Sequence, residues 1–187
     1  GVALADSVAA DAHKWLNVPY DCGLVFSAHP ESHRRAMTVS SAYILETDAE
    51  RDPRDFVPEE SRRARAVPVY AALRAIGTDG VGEIVDRGCR LATRMAARLA
   101  RHPSVRVLND VVLNQVLVRV EGADPDALTR AMIAAVQQDG TCWAGGTTWH
   151  GMAAMRISIS NWSTTDVDID RSAEAMLRAV DAVTGRP

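Results

Sequence analysis

The sequence predicts a small α+β domain from about residue 104 onwards, joined by two helices to the tail of another domain. Three observations carry this. Strand-type runs at 105–108, 114–120 and 154–160 are interleaved with helical stretches at 125–138 and 166–183. A long helical periodicity precedes them, broken at Gly77. A short apolar run, Cys22-Gly23-Leu24-Val25-Phe26, lies near the start between turn residues, as buried strands often do.

Taken in order, residues 1–28 read as two short buried segments flanking a polar turn that carries Asp11-Ala12-His13-Lys14-Trp15-Leu16. Between residues 38 and 60 periodicity disappears, and a charged stretch with Pro53 reads as a long connection of the kind that is functional or mobile. Helical spacing resumes at Ser61 and runs to about Ile76, with Gly77 as a stop. A second helix then sets Val81, Ile84, Val85, Leu91, Ala92, Met95 and Leu99 on one face and ends near His102-Pro103. Asp124 followed by Pro125 is a capping carboxylate with proline in the first turn, and Gly140 stops that helix. A strand is expected around 141–144, within a glycine-rich hairpin carrying Trp143 and Trp149 to a core or interface. In the next strand Met155, Ile157 and Ile159 alternate with Arg156, Ser158 and Ser160. The last helix presents Ala173, Met176, Leu177 and Val180.

Composition narrows the function. Of 187 residues, 47% are hydrophobic, which is too apolar for a disordered tail. The net charge of −3 provides no broad attraction for nucleic acid or an anionic membrane. No apolar run is long enough to span a bilayer, and the first residues lack the features of a signal peptide. Cys22, Cys89 and Cys142 are odd in number and far apart, so neither a disulfide framework nor a zinc site is expected, and the cytoplasm is the expected compartment. His29 and His33 are four apart but have no third ligand in sight for a metal. The chain lacks an initiator methionine and enters apolar sequence at once, so it reads as a fragment that begins within a domain.

Lys14 is the residue that demands a chemical reading. Partial burial between apolar segments would lower its pKa and make it a nucleophilic amine, but spacing alone favours a surface lysine in a strand–turn connection. The wider string is more specific. Ser7 is followed six residues on by His13, then by Lys14 and two apolar residues, and Cys22 lies eight residues after the lysine. This string, ending Tyr20-Asp21-Cys22-Gly23, resembles the lysine signature of the group II pyridoxal-phosphate-dependent amino acid decarboxylases. One departure is Ala28, followed by His29, where the family often carries a basic residue.

The resemblance implies an α/β, aspartate aminotransferase-like architecture of fold type I. Residues 1–60 would be the end of the large cofactor domain with its catalytic loop, 61–103 the connecting helices, and 104–187 the small domain. It implies pyridoxal 5'-phosphate as cofactor, an L-amino acid as substrate, carbon dioxide and an amine as products, and a homodimer for the full-length enzyme. Lys14 is then the amine that condenses with the cofactor aldehyde, and His13 lies near its phosphate. Asp11 stands where several relatives carry asparagine, and a carboxylate beside a phosphate would repel it.

Ser40-Ser41-Ala42-Tyr43-Ile44-Leu45 resembles the family's mobile catalytic loop, which makes Tyr43 the proton donor to Cα and favours decarboxylation over the aldehyde-forming relatives. Ser61-Arg62-Arg63-Ala64-Arg65 matches an arginine-rich helix start with an implied role in the dimer interface or in docking that loop. Arg156 sits on the small-domain strand where the fold recurrently carries an arginine, and is a substrate contact or a structural ion pair. The family's ring-stacking residue, pyridine-nitrogen aspartate and phosphate cup all precede the lysine, so this stretch alone is expected to be inactive. Two other readings share these residues: another lysine-dependent enzyme of the same fold, an aminotransferase or carbon–sulfur lyase, and a non-catalytic subunit that keeps the fold.

Overall fold

The computed structural model describes residues 1–39 and 51–185, and the chain divides into two compact units, Gly1–Ala75 and Ile76–Pro187. Tyr43 lies outside the described residues. Among them, no helix is long and apolar enough to cross a membrane.

In the first unit, β1 (Ser7–Asp11) pairs antiparallel with β2 (Gly23–Ser27), with Asp11 opposite Gly23 and Ser7 opposite Ser27. The one-turn helix α1 (Ala12–Trp15) begins directly where β1 ends. Asn17 closes it: its φ is +52°, a value asparagine tolerates, and its Nδ2 donates to the carbonyls of Lys14 (3.0 Å) and Trp15 (3.2 Å). A small core of Ala12, Val18, Cys22 and Val69 holds this turn down, with Leu16, Leu24 and Ala72 against it. The apolar run of β2 is not buried here as its composition predicts: Val25 and Phe26 are 63% and 61% exposed. Helix α2 (Pro30–Met37) starts at a proline after His29. His33 faces Phe56 edge-on while His29 bonds Asp6, so the two histidines have separate partners.

Helix α3 (Ala66–Leu99) starts five residues later than the periodicity suggests and carries a break at Gly77, whose φ of +65° and ψ of −175° are non-helical. This is the predicted stop, realised as an interruption within one run.

The second unit contains the four-stranded antiparallel sheet β3 (Val105–Val107), β4 (Gln115–Val120), β5 (Gly145–Trp149) and β6 (Met152–Ser158), in spatial order β3-β4-β6-β5. Helices α4 (Pro125–Asp139) and α5 (Asp166–Thr184) complete it. Its core joins Leu91, Met95 and Leu99 to Val116, Val118 and Val120 of β4, Met132 and Val136 of α4, Met155 and Ile157 of β6, and Met176 and Val180 of α5. Each element has a local cause. Asp124 accepts from the Ala127 N–H and Gly140 takes the left-handed position that ends α4, as predicted. Thr165 and Asp168 cap α5 reciprocally.

The hairpin of the glycine-rich stretch exists, but its first strand is residues 145–149 rather than 141–144. Its tryptophans are not core residues: Trp143 is 75% and Trp149 39% exposed. On β6 the predicted alternation holds, with Met155 and Ile157 buried against exposed Arg156 and Ser158.

Candidate active site around Lys14

The end of β1 and the first turn of α1 place three functional side chains in succession. Asp11 is the last strand residue, and His13 and Lys14 lie in the helical turn, so Asp11 and Lys14 are three apart on one side. Their side chains meet, with Nζ of Lys14 2.5 Å from Oδ2 of Asp11. The hydrogen bond from Lys14 holds the Asp11 carboxyl below its ordinary range, and the same bond raises the Lys14 ammonium above its own. The condition of partial burial is not met here: the Lys14 side chain is 65% exposed, as a surface lysine in a connection would be, and its carboxylate neighbour favours the charged form.

His13 is half-buried, and its Nδ1 is held by a single residue. Its Nδ1 lies 3.1 Å from the backbone nitrogen and 3.0 Å from the carbonyl oxygen of Cys22. One neutral tautomer accepts from that amide and the other donates to that carbonyl, so Nδ1 is satisfied either way and Nε2 is the ring atom left for a ligand. The ring also packs on Tyr20, with centroids 4.0 Å apart. Cys22 is 4% exposed, and its carbonyl accepts from the Ala12 N–H at 2.9 Å. Cys22 is therefore a residue of the site whose place in the quoted string, eight residues after the lysine, was legible while its backbone grip on His13 was not.

Arg156 lies in the second unit on β6, paired in register with Leu117 and Gly145. It is exposed and, among the described residues, makes no ion pair. On the neighbouring strand β4, the largely buried guanidinium of Arg119 contacts Asp126 at 3.0 Å. A groove of about 780 Å³ lined by Val25, Phe26, His33, Met37 and Phe56 does not include Lys14 or His13. Among the described residues, no group of three or more His, Cys, Asp or Glu side chains is arranged to hold a metal ion.

A strand that ends on a carboxylate and leads straight into a histidine–lysine turn defines a lysine-bearing site in an α/β setting. Comparison with known proteins gives that class its family. The profile of the pyridoxal-dependent decarboxylase conserved domain matches residues 1–121, and the chain belongs to this family. It is 30% identical over 123 residues to the aromatic-L-amino-acid decarboxylase of Bacillus atrophaeus, covering 64% of this chain and 26% of that protein. It is 22% identical over 185 residues to the histidine decarboxylase of Mus musculus, covering 98% of this chain and 28% of that one. The fold matches the crystal structure of Oryza sativa TDC with PLP and tryptamine at a TM-score of 0.88 and 17% identity, over 97% of this chain and 40% of that one. The architecture is therefore that of fold type I, and the chain spans between a quarter and two fifths of the length of these relatives.

Proposed function

We propose that this chain is the lysine-bearing part of a pyridoxal 5'-phosphate-dependent decarboxylase that releases carbon dioxide from an L-amino acid. The observation that carries the reading is the family match over residues 1–121, which spans Lys14, His13 and Tyr43. The residues present fit the cofactor in kind. Lys14 offers an accessible primary amine for its aldehyde, and His13 offers Nε2 beside it for a polar group such as the phosphate. Asp11 fits the phosphate poorly, since two anions repel, but it fits a role toward the ammonium of Lys14.

When bound, the cofactor supplies an electron-withdrawing ring that accepts the electrons left as the carboxylate departs. The chain's own residues do the rest. Lys14 would hold the group through its deprotonated amine, His13 would orient it, and Tyr43 would deliver a proton to the substrate Cα. Arg156 is a further proposed contributor to substrate binding. Active protein is proposed to be a cytoplasmic homodimer, and this stretch of the family fold is expected to be inactive by itself.

Absorbance provides the test. The complete protein mixed with pyridoxal 5'-phosphate should show a visible band that Lys14→Ala abolishes. A band that survives the substitution contradicts the assignment.

A further inference from the structure

The arginine run expected at a helix start lies just before α3, which begins at Ala66, and its contacts point to a task other than the interface or loop-docking role that the resemblance implies. Arg65 forks onto the Asp21 carboxylate, with Nε to Oδ1 at 3.1 Å and Nη2 to Oδ2 at 3.3 Å. Arg63 adds Nη2 to Asp21 Oδ1 at 3.2 Å and donates to the Tyr20 carbonyl at 2.5 Å. The Cys22 thiol points at the Arg65 carbonyl, 3.7 Å away. Two arginines more than forty residues along the chain thus grip the three consecutive residues Tyr20, Asp21 and Cys22.

Two of those residues hold His13: Tyr20 packs on its ring, and the backbone of Cys22 meets its Nδ1, with Asp21 between them in the chain. Arg62, in the same basic run, turns away and donates to the carbonyls of Glu59 and Glu60. The run is therefore not a uniform solvated face. A planar guanidinium matched to both oxygens of one carboxylate fixes direction as well as distance, which a lysine cannot do.

We propose that Arg65, assisted by Arg63, is a positioning residue for the His13–Lys14 turn, acting through Asp21 and Cys22. This deepens the functional reading above and rests on it for its consequence, but the geometry it describes exists without cofactor. The fork holds Asp21, Asp21 sets the path of the chain into Cys22, and Cys22 fixes the plane of the His13 ring. His13 Nε2 is aimed as a result, and Lys14, the next residue, leaves the turn in a set direction.

The test reads His13 directly. Ring nitrogen shifts of His13 are recorded by NMR in the unmodified protein without cofactor, then in Arg65→Ala, Arg65→Lys, Asp21→Asn and Arg62→Ala. Loss of the fork should move the His13 nitrogens toward the averaged values of a free imidazole in Arg65→Ala, Arg65→Lys and Asp21→Asn, while Arg62→Ala leaves them in place. General loosening of the fold would move them in all four, so an equal effect of Arg62→Ala overturns the proposal. Unchanged nitrogens in Arg65→Lys and Asp21→Asn also overturn it, even if Arg65→Ala fails to fold.

A second measurement links the clamp to function. Borohydride trapping of pyridoxal 5'-phosphate on Lys14 should slow about tenfold in Arg65→Lys, the scale expected when a reacting group is misaimed. If the unmodified protein traps no pyridoxyl group while the His13 shifts still respond, the functional reading fails and the clamp stands. If trapping proceeds and the shifts do not respond, the clamp fails and the functional reading stands.

Discussion

Lys14 presents a tension between charge and nucleophilicity. An amine must lose its proton before it can attack a carbonyl, yet Asp11 stabilises the protonated form. The sign follows from the partner. The raised pKa of Lys14 means that the ion pair persists below the ordinary lysine range and is lost as pH rises through the raised value. Removing the carboxylate should therefore free the amine at lower pH. Asp11→Asn is expected to raise the rate of Lys14 modification near neutrality about two- to fivefold, since exposed pairs are weakened by solvent and salt. A pH–rate profile with a small amine-reactive probe, read by mass spectrometry at Lys14, checks this, and the wild-type and variant profiles should converge at high salt.

Helix α3 and its partner α5 show how elements impose order beyond their own propensities. Gly77 occupies a region of backbone space that is open to glycine alone, and no atom crowds the position of its missing Cβ, so its constraint is conformational rather than steric. Gly77→Ala should destabilise the protein by about 1–3 kcal/mol, measured by denaturant unfolding, while Gly82→Ala, at an open helical position, should not.

Further along, Arg90, Arg94 and Arg98 meet Asp166, Asp170 and Glu174 in a ladder with a step of four on both helices. Hydrogen bonds from Arg90 and Arg94 hold the carboxyls of Asp166 and Asp170 below their ordinary range. Depressed carboxyls contribute stability that is present above the ordinary carboxylate range and is lost as pH falls through the depressed values. The thermal midpoint should thus fall on acidification below that range, and a double Asp166→Asn, Asp170→Asn variant should show a flatter acid limb.

Across the whole chain, legibility followed the range of the forces involved. Asp124, Pro125 and Gly140 act within one turn of their own helix, and the structure has them where the sequence predicts. The alternation around Arg156 was equally plain, because period-two burial is local to a strand. The exposure of Val25 and Phe26 was not legible, since an apolar run shows that burial is favourable without showing what provides it. The hairpin's first strand was misplaced because Gly145 and Gly146 carry no side-chain signal, and their strand is made by pairing with Met155 and Arg156.

At the site, the i,i+3 spacing of Asp11 and Lys14 could be read directly, but the grip of Arg63 and Arg65 on Asp21 is a contact between distant segments. The family assignment, by contrast, needed only the lysine string, and the match over residues 1–121 bears it out.

In the proposed function, the ε-amine of Lys14 is the attachment point for the cofactor. The most direct test is borohydride reduction of the complete protein loaded with pyridoxal 5'-phosphate, followed by peptide mass spectrometry. A pyridoxyl group on the peptide containing His13 and Lys14, localised to Lys14, is the predicted result. A pyridoxyl group on another residue, or on none, would contradict it.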